Sequence, residues 1–408
     1  MNKWFMITIA SWSISLIVPN AAVSEEPLSF SEAREIILSR NAGLKSVRSE
    51  TDAAKAGVAQ AGVSPNPEIG ISLDKFGVNE IEIGVEQTIE LGGKRKLRTE
   101  AARKDVDAVV NAGELTRLEL ESEIVRRFIP IVTTTNKLEV VDSILKVTRT
   151  TMEQIRRRVD AGGSKATDIV RIEIDIEQLQ LERDALIREN EQARLKFAAL
   201  GSEQDVALKN VSGELNSDLA VPDLSTLQKA IQDNPILTTY YIEQARLEIE
   251  RKQLRADVIP DLNLYAGYLG SNFDNYQSPI VGLTMSVPLF NRNTAAQKQV
   301  ELKQKAVSEQ RENALRLLMA DVQEIHSNLK ITDLKLQSLQ SCTVPKAQKV
   351  FTMLQEYYNA GNAGFLDLAE AQEEMLRLKL ELLDVQQDRA LGLAELMQMT
   401  GTDIRIVK

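Results

Sequence analysis

The sequence predicts a mainly α-helical chain with a membrane β-barrel portion. Tandem-duplicated long helical hairpins would form an α-barrel, and four strands per chain would contribute to a trimeric twelve-stranded β-barrel. Three observations lead there. Apolar residues recur at helical spacing through most of the 408 residues. Short stretches instead alternate apolar and polar residues with a period of two. The order of these features then repeats, with matching landmarks 193 to 200 residues apart.

Composition narrows the function before any motif is read. Aromatic residues make up only 4% of the chain, too few for a large all-β fold. A net charge of −10 argues against a nucleic-acid partner. The single cysteine, Cys342, excludes an internal disulfide and a cysteine-rich metal site. The single histidine, His326, excludes a histidine-cluster metal site and argues against histidine-dependent catalysis. No nucleophile motif or glycine-rich phosphate loop is present, so no catalytic, cofactor or metal residue is assigned and the chain is read as a non-enzyme without cofactors.

Residues 1–24 read as a secretory signal, with Lys3 ahead of a mostly apolar run from Trp4 to Val18. Ala22 and Ser24 supply the small residues expected before a cleavage site. No cysteine follows, so no amino-terminal lipid anchor is expected. No later stretch is long and apolar enough for a transmembrane helix.

Residues 25–201 form the first repeat. Leu28–Val63 is expected as one helix, capped by Ser29 or Ser31 and ended by Pro65 and Pro67. The hairpin 66–91 follows. Ile69, Ile71 and Leu73 share one parity, Gly77–Asn79 turns the chain, and Ile81, Ile83, Val85, Ile89 and Leu91 alternate with Glu80, Glu82, Glu86, Thr88 and Glu90. Gly92–Gly93 releases the chain into a helix over 94–160, roughly 100 Å long at 1.5 Å per residue. Pro130 should kink or interrupt it. Ala161, Gly162 and Gly163 form a turn, and Ser164 or Thr167 can cap a helix that ends near Leu200. That helix carries two apolar stripes, which ask for neighbours on both sides.

Residues 202–223 are a polar linker, and residues 224–401 repeat the plan. A helix over Leu224–Asp257 is closed by Pro260, as Pro67 closes its counterpart 193 residues earlier. The hairpin 262–290 leads through Asn291–Asn293 into a long helix ending near Tyr358. Ala360, Gly361 and Asn362 turn the chain 199 residues after the first turn, and Asp367 stands at the same distance from Asp168. The final helix ends at Thr400–Gly401, and residues 402–408 are a tail. Small insertions within a tandem duplication account for the drift in these offsets.

Two short helices placed end to end match one long helix in length. A lone four-stranded sheet, however, leaves open edges that hydrocarbon does not tolerate. Three copies would close twelve strands around a lumen.

These residues resemble the TolC-type outer-membrane efflux channels over essentially the whole mature chain. NPEIGIS, QTIELGGKR and VPLFNRN are most similar to the branch serving heavy-metal cation exporters of the resistance–nodulation–division class, the cobalt-zinc-cadmium type. The tips RRVDAGGSKATDIV and EYYNAGNAGFLDLAEAQ resemble that family's periplasmic turns. The resemblance implies a homotrimer in outer-membrane lipid that extends into the periplasm. It would take substrate from an inner-membrane pump of that class through a periplasmic adaptor.

By the same resemblance, Thr167 and Asp168 in the first tip and Tyr358, Asp367 and Glu370 in the second form a periplasmic gate. The three-residue spacing of Asp367 and Glu370 puts both on one helix face, so three chains would present six carboxylates. The plainer reading makes them solvated acids at a helix start. The latch carries Ala363 where some members have an arginine, so fewer salt bridges are expected. The turns Ala161–Gly163 and Ala360–Asn362 are the expected adaptor contacts, and Glu82, Glu86 and Glu90 the expected lining of the barrel lumen. Two alternatives stay open. One is the same channel fold serving organic compounds or type I protein secretion, and the other is a periplasmic helical scaffold or adaptor.

Overall fold

The computed structural model describes residues 28–74, 80–201, 211–215, 219–271, 276–401 and 406–407. The expected signal segment, the turn at Gly77–Asn79, and most of the linker and tail lie outside them. The first run of elements is β1 (Leu28–Ser29), α1 (Phe30–Arg40), α2 (Ala42–Ala61), β2 (Glu68–Asp74), β3 (Glu80–Ile89), α3 (Lys94–Asp160) and α4 (Ala166–Ala198). After β4 (Val211–Ser212) the order recurs as α5 (Leu224–Ile231), α6 (Pro235–Ala256), β5 (Leu262–Ser271), β6 (Tyr276–Met285), α7 (Thr294–Ser338), α8 (Val344–Ala360) and α9 (Phe365–Thr400).

The first helix of each run differs from expectation, because each is broken by an asparagine. Asn41 leaves helical geometry at ψ 128°, and its Oδ1 accepts from the Leu44 N–H at 3.2 Å. Asn234 does the same for Ile236 at 2.7 Å, with Pro235 at the first helical position. Each side-chain amide also reaches the end of the last helix of its own run. Asn41 donates to the Leu200 carbonyl at 3.0 Å, and Asn234 donates to that of Met399. The break therefore seats the start of α2 on the end of α4, and the start of α6 on the end of α9.

Pro130 lies inside an unbroken α3 of 67 residues, and does not interrupt it. The second long helix is instead interrupted by a π-helical turn at Leu339–Thr343. Pro345, just beyond it, cannot donate a backbone hydrogen bond, and the wider turn absorbs the lost register. Lys165, rather than Ser164 or Thr167, is the cap of α4, because the Asp168 carboxylate accepts the Lys165 N–H at 3.3 Å. Strand β6 begins at Tyr276, within the expected loop, and stops at Met285 ahead of Pro288. At the exit of the second hairpin Asn293 takes φ +54° where Gly93 takes +74° in the first. Asparagine is among the few other residues that tolerate this region.

Helix α3 is the spine. Its first half meets α2 through Arg98 and the Ala61 carbonyl (2.8 Å), and α6 through Asn111 and Thr239 (2.9 Å). Its second half meets α4 through Arg183 and Asp142 (2.7 Å), and α9 through Lys137 and Asp384 (2.5 Å). At mid-height Phe30, Phe128 and Phe197 pack as tilted rings, with centroids 4.8 and 5.8 Å apart. Val211 of the linker and Ile406 of the tail are buried at this level. A separate core lower down is built by Ile144, Ile155, Ile172, Phe351 and Met375.

The four hairpin strands form one antiparallel sheet in the order β2-β3-β5-β6. Its register places Ile71, Ile83 and Tyr268 side by side, and likewise Ile69, Val85, Ala266 and Val281. This face is largely aliphatic, with Tyr268 among its residues, and is exposed in the single chain, Val281 to 85%. Strands β2 and β6 end the sheet, and β6 carries Pro279 as an edge strand can.

Candidate functional site

Two regions hold the residues singled out from the sequence. The first is the opposite face of the sheet. Glu82 and Glu86 lie there, half-buried, and Tyr265 Oη donates to Glu82 Oε1 at 2.6 Å. Glu90 sits just beyond β3. Arg98 grips it with bonds of 2.6 and 3.1 Å, and also donates to the carbonyls of Ala61 and Val63. Lys94 and Asp261, 2.9 Å apart, continue this collar between sheet and helices. Glu82 and Glu86 thus share a wall with Tyr265, whereas Glu90 is neutralised where the sheet meets the helices.

The second region is the far end of the long helices. Turns Ala161–Gly163 and Ala360–Asn362 are both exposed, and both rely on glycine at positive φ, Gly162 at +77° and Gly361 at +82°. Arg158, in the last turn of α3, ties the two turns together. Its guanidinium donates to the backbone carbonyls of Tyr358 and, at 2.8 Å, Asn359, and lies 4.4 Å from the centre of the Tyr358 ring. Arg158 is not among the residues singled out from the sequence. Its one signal there is a run of three arginines at a helix C-terminus, where cations complement the dipole.

Tyr358 is buried at 2% exposure, and its hydroxyl has no hydrogen-bond partner among the described residues. Asp168 and Asp367 play matching roles at the starts of α4 and α9. Asp168 accepts from Lys165 N–H, and Asp367 accepts from Gly364 N–H at 3.1 Å. Thr167 is exposed on the first turn of α4. Glu370, also exposed, opens onto a groove of about 640 Å³ between α4 and α9. Asp175, Glu182 and Glu373 line the same groove, together with Leu179 and Phe365. Burial, and then the charge of Glu373, push the Asp175 carboxyl above its usual range. Among the described residues no three potential metal ligands converge, and no helix is long and apolar enough to cross a membrane.

Comparison with known proteins identifies similar chains. The profile of the family described as "Outer membrane efflux protein" matches residues 33–201 and 226–402. The cobalt-zinc-cadmium resistance protein CzcC of Cupriavidus metallidurans is 23% identical over 371 residues, covering 88% of this chain and 86% of that one. The outer membrane protein TolC of Vibrio cholerae is 22% identical over 276 residues, 62% of this chain and 60% of that protein. Among solved structures, the channel CusC superposes with a TM-score of 0.76 at 16% identity, covering 91% of each chain.

Proposed function

The chain belongs to the outer membrane efflux protein family of passive channels, and we propose that this member is the exit duct of a tripartite exporter of heavy-metal cations. Channels of the family work as trimers with an adaptor and an inner-membrane pump. For this chain, three copies would join β6 of one to β2 of the next and close twelve strands. The observation that carries the reading is the sheet itself. One face is exposed and aliphatic, the other is rich in glutamate and hydroxyl groups, and among the described residues both edges end without a partner strand. In a bilayer such a sheet is tolerated only when closed.

The turns at Gly162 and Gly361 would meet the adaptor, the pump being of the resistance–nodulation–division class. Asp367 and Glu370 would bring six carboxylates around the threefold axis, where they hold cations and repel anions. Likeness to CzcC along nearly the whole chain supports the metal cargo. A second reading, export of organic compounds or protein, is favoured on the protein side by likeness to the alkaline protease secretion protein AprF of Pseudomonas aeruginosa.

The test is deletion of the gene in its host. Sensitivity to cobalt, zinc or cadmium, reversed by the gene in trans, is the expected outcome. Sensitivity to dyes or detergents alone would favour the second reading. A monomer in the soluble periplasmic fraction would overturn both.

A further inference from the structure

On the polar face of the sheet, glycines lie beneath one aromatic ring. Gly84 and Gly267 are directly paired across β3 and β5, and Gly282 is paired with Tyr265 across β5 and β6. The Tyr265 ring does not stand off the sheet. It runs along β5 over Gly267, crosses to Gly84, and ends in the hydrogen bond to Glu82. A Cβ placed on Gly84 would lie 2.5 Å from ring Cε2 and nearer still to Cζ and Oη. One placed on Gly267 would lie 2.7 Å from Oη and 2.9 Å from Cζ. At Gly282 the nearest atom is Cβ of Tyr265 at 3.4 Å, an ordinary contact. Gly84 is buried although it has no side chain and stands on an open face, because the ring covers it. Glycine weakens a strand interior, and an aromatic laid across it restores packing.

On the reading that three copies close this sheet with its polar face inward, we infer that the glycine bed holds Tyr265 flat against the wall and thereby sets the bore of the barrel. The backbone of β3 and β5 blocks movement into the sheet, so any side chain on Gly84 or Gly267 turns the ring toward the lumen. Because the displaced atoms are the far end of a flexible side chain, the sheet itself is little disturbed. Three lifted rings would then narrow the duct, and Glu82 would lose the donor that fixes its carboxylate.

The experiment uses the full-length trimer in planar bilayers, with polyethylene glycols of graded mass added on the barrel side only. The largest polymer that enters reports the bore of that half, whatever the state of the far tip. Gly84→Ala is expected to shift the cut-off to a smaller polymer, and Gly84→Ala with Tyr265→Ala to return it to the wild-type value or beyond. Gly267→Ala should act in the same direction. An unchanged cut-off in both glycine variants overturns the inference while leaving the channel intact. If a glycine variant fails to assemble, rescue of assembly by Tyr265→Ala supports the same seat, and failure of rescue overturns it. A wild-type protein that opens no channel removes the proposed function together with the inference.

Discussion

At the scale of single residues, the far tips are governed by side chains that act across the repeat. Arg158 binds two carbonyls and a ring some 200 residues away. Charge-assisted hydrogen bonds of this kind contribute about 1.5–3 kcal/mol. Arg158→Gln should therefore ease local opening of the second turn by about 2 kcal/mol, roughly a 30-fold change. Hydrogen exchange at Gly361 and Asn362, whose amides donate to Tyr358 and Tyr357, reads this directly. Unchanged protection would show that the clamp adds nothing.

Asp175 gives a pH-dependent counterpart. Its carboxyl is raised above the ordinary 3.8 by burial and by Glu373, with Arg171 opposing. A raised folded-state value means that the folded chain binds the proton more tightly than the unfolded chain. This group therefore costs stability above the folded-state value, and the cost is relieved as pH falls through it. Asp175→Asn should raise the melting temperature at neutral pH, and the gain should disappear in acid. A gain independent of pH would assign the effect to something other than charge.

At the scale of elements, most of the fold was legible and its joints were not. The 67-residue helix and the alternating strands announce themselves through periodicity, which is a local property repeated many times. The breaks at Asn41 and Asn234 are decided by contacts to Leu200 and Met399, far along the chain. Locally, one asparagine in a helical pattern is a weak signal. The stronger signal is their spacing, for the two asparagines stand 193 residues apart, the same offset as Pro67 and Pro260. The π turn before Pro345 was likewise hidden, because a proline predicts a disturbance without saying whether the helix kinks, stops or widens. Pro130 shows the opposite outcome within an intact helix.

The candidate site divides in the same way. Glu82 and Glu86 follow from strand parity alone, whereas the capture of Glu90 by Arg98 depends on how the hairpin meets the helices. The asparagine joints also make a prediction. Each substitution removes a helix cap, worth about 1 kcal/mol. Asn234 is buried at 2% exposure while Asn41 is only half-buried. Both substitutions also take the donor from a carbonyl, Leu200 for Asn41 and Met399 for Asn234, but only the second is left in a buried site, so Asn234→Ala should cost about 2–3 kcal/mol and Asn41→Ala about 1 kcal/mol. Chemical denaturation of the two variants ranks them, and an equal or reversed order would deny the role of burial.

At the scale of the whole molecule, one chain is visibly unfinished. Among the described residues its sheet ends in two open edges, its aliphatic face is bare, and α4 exposes Val170, Ile174 and Leu181 along one side. A monomer in water would leave all of this surface exposed, while a trimer in a bilayer covers it with neighbours and lipid. Strand β6 separates the two faces within four residues. Val281 lies on the aliphatic face beside Ala266, and Ser278 lies on the polar face beside Leu269. An arginine turned toward lipid costs about 2–4 kcal/mol near the bilayer midplane, whereas one turned into a lumen is solvated. Three copies would multiply that cost through the assembly. Val281→Arg should thus abolish the trimer in outer-membrane fractions. Ser278→Arg should insert and assemble normally, and shift reversal potentials in planar bilayers toward anions, since three added cations would face the Glu82 and Glu86 rings. Equal tolerance of arginine at both positions would mean that the sheet does not separate lipid from water, and the closed barrel would have to be abandoned.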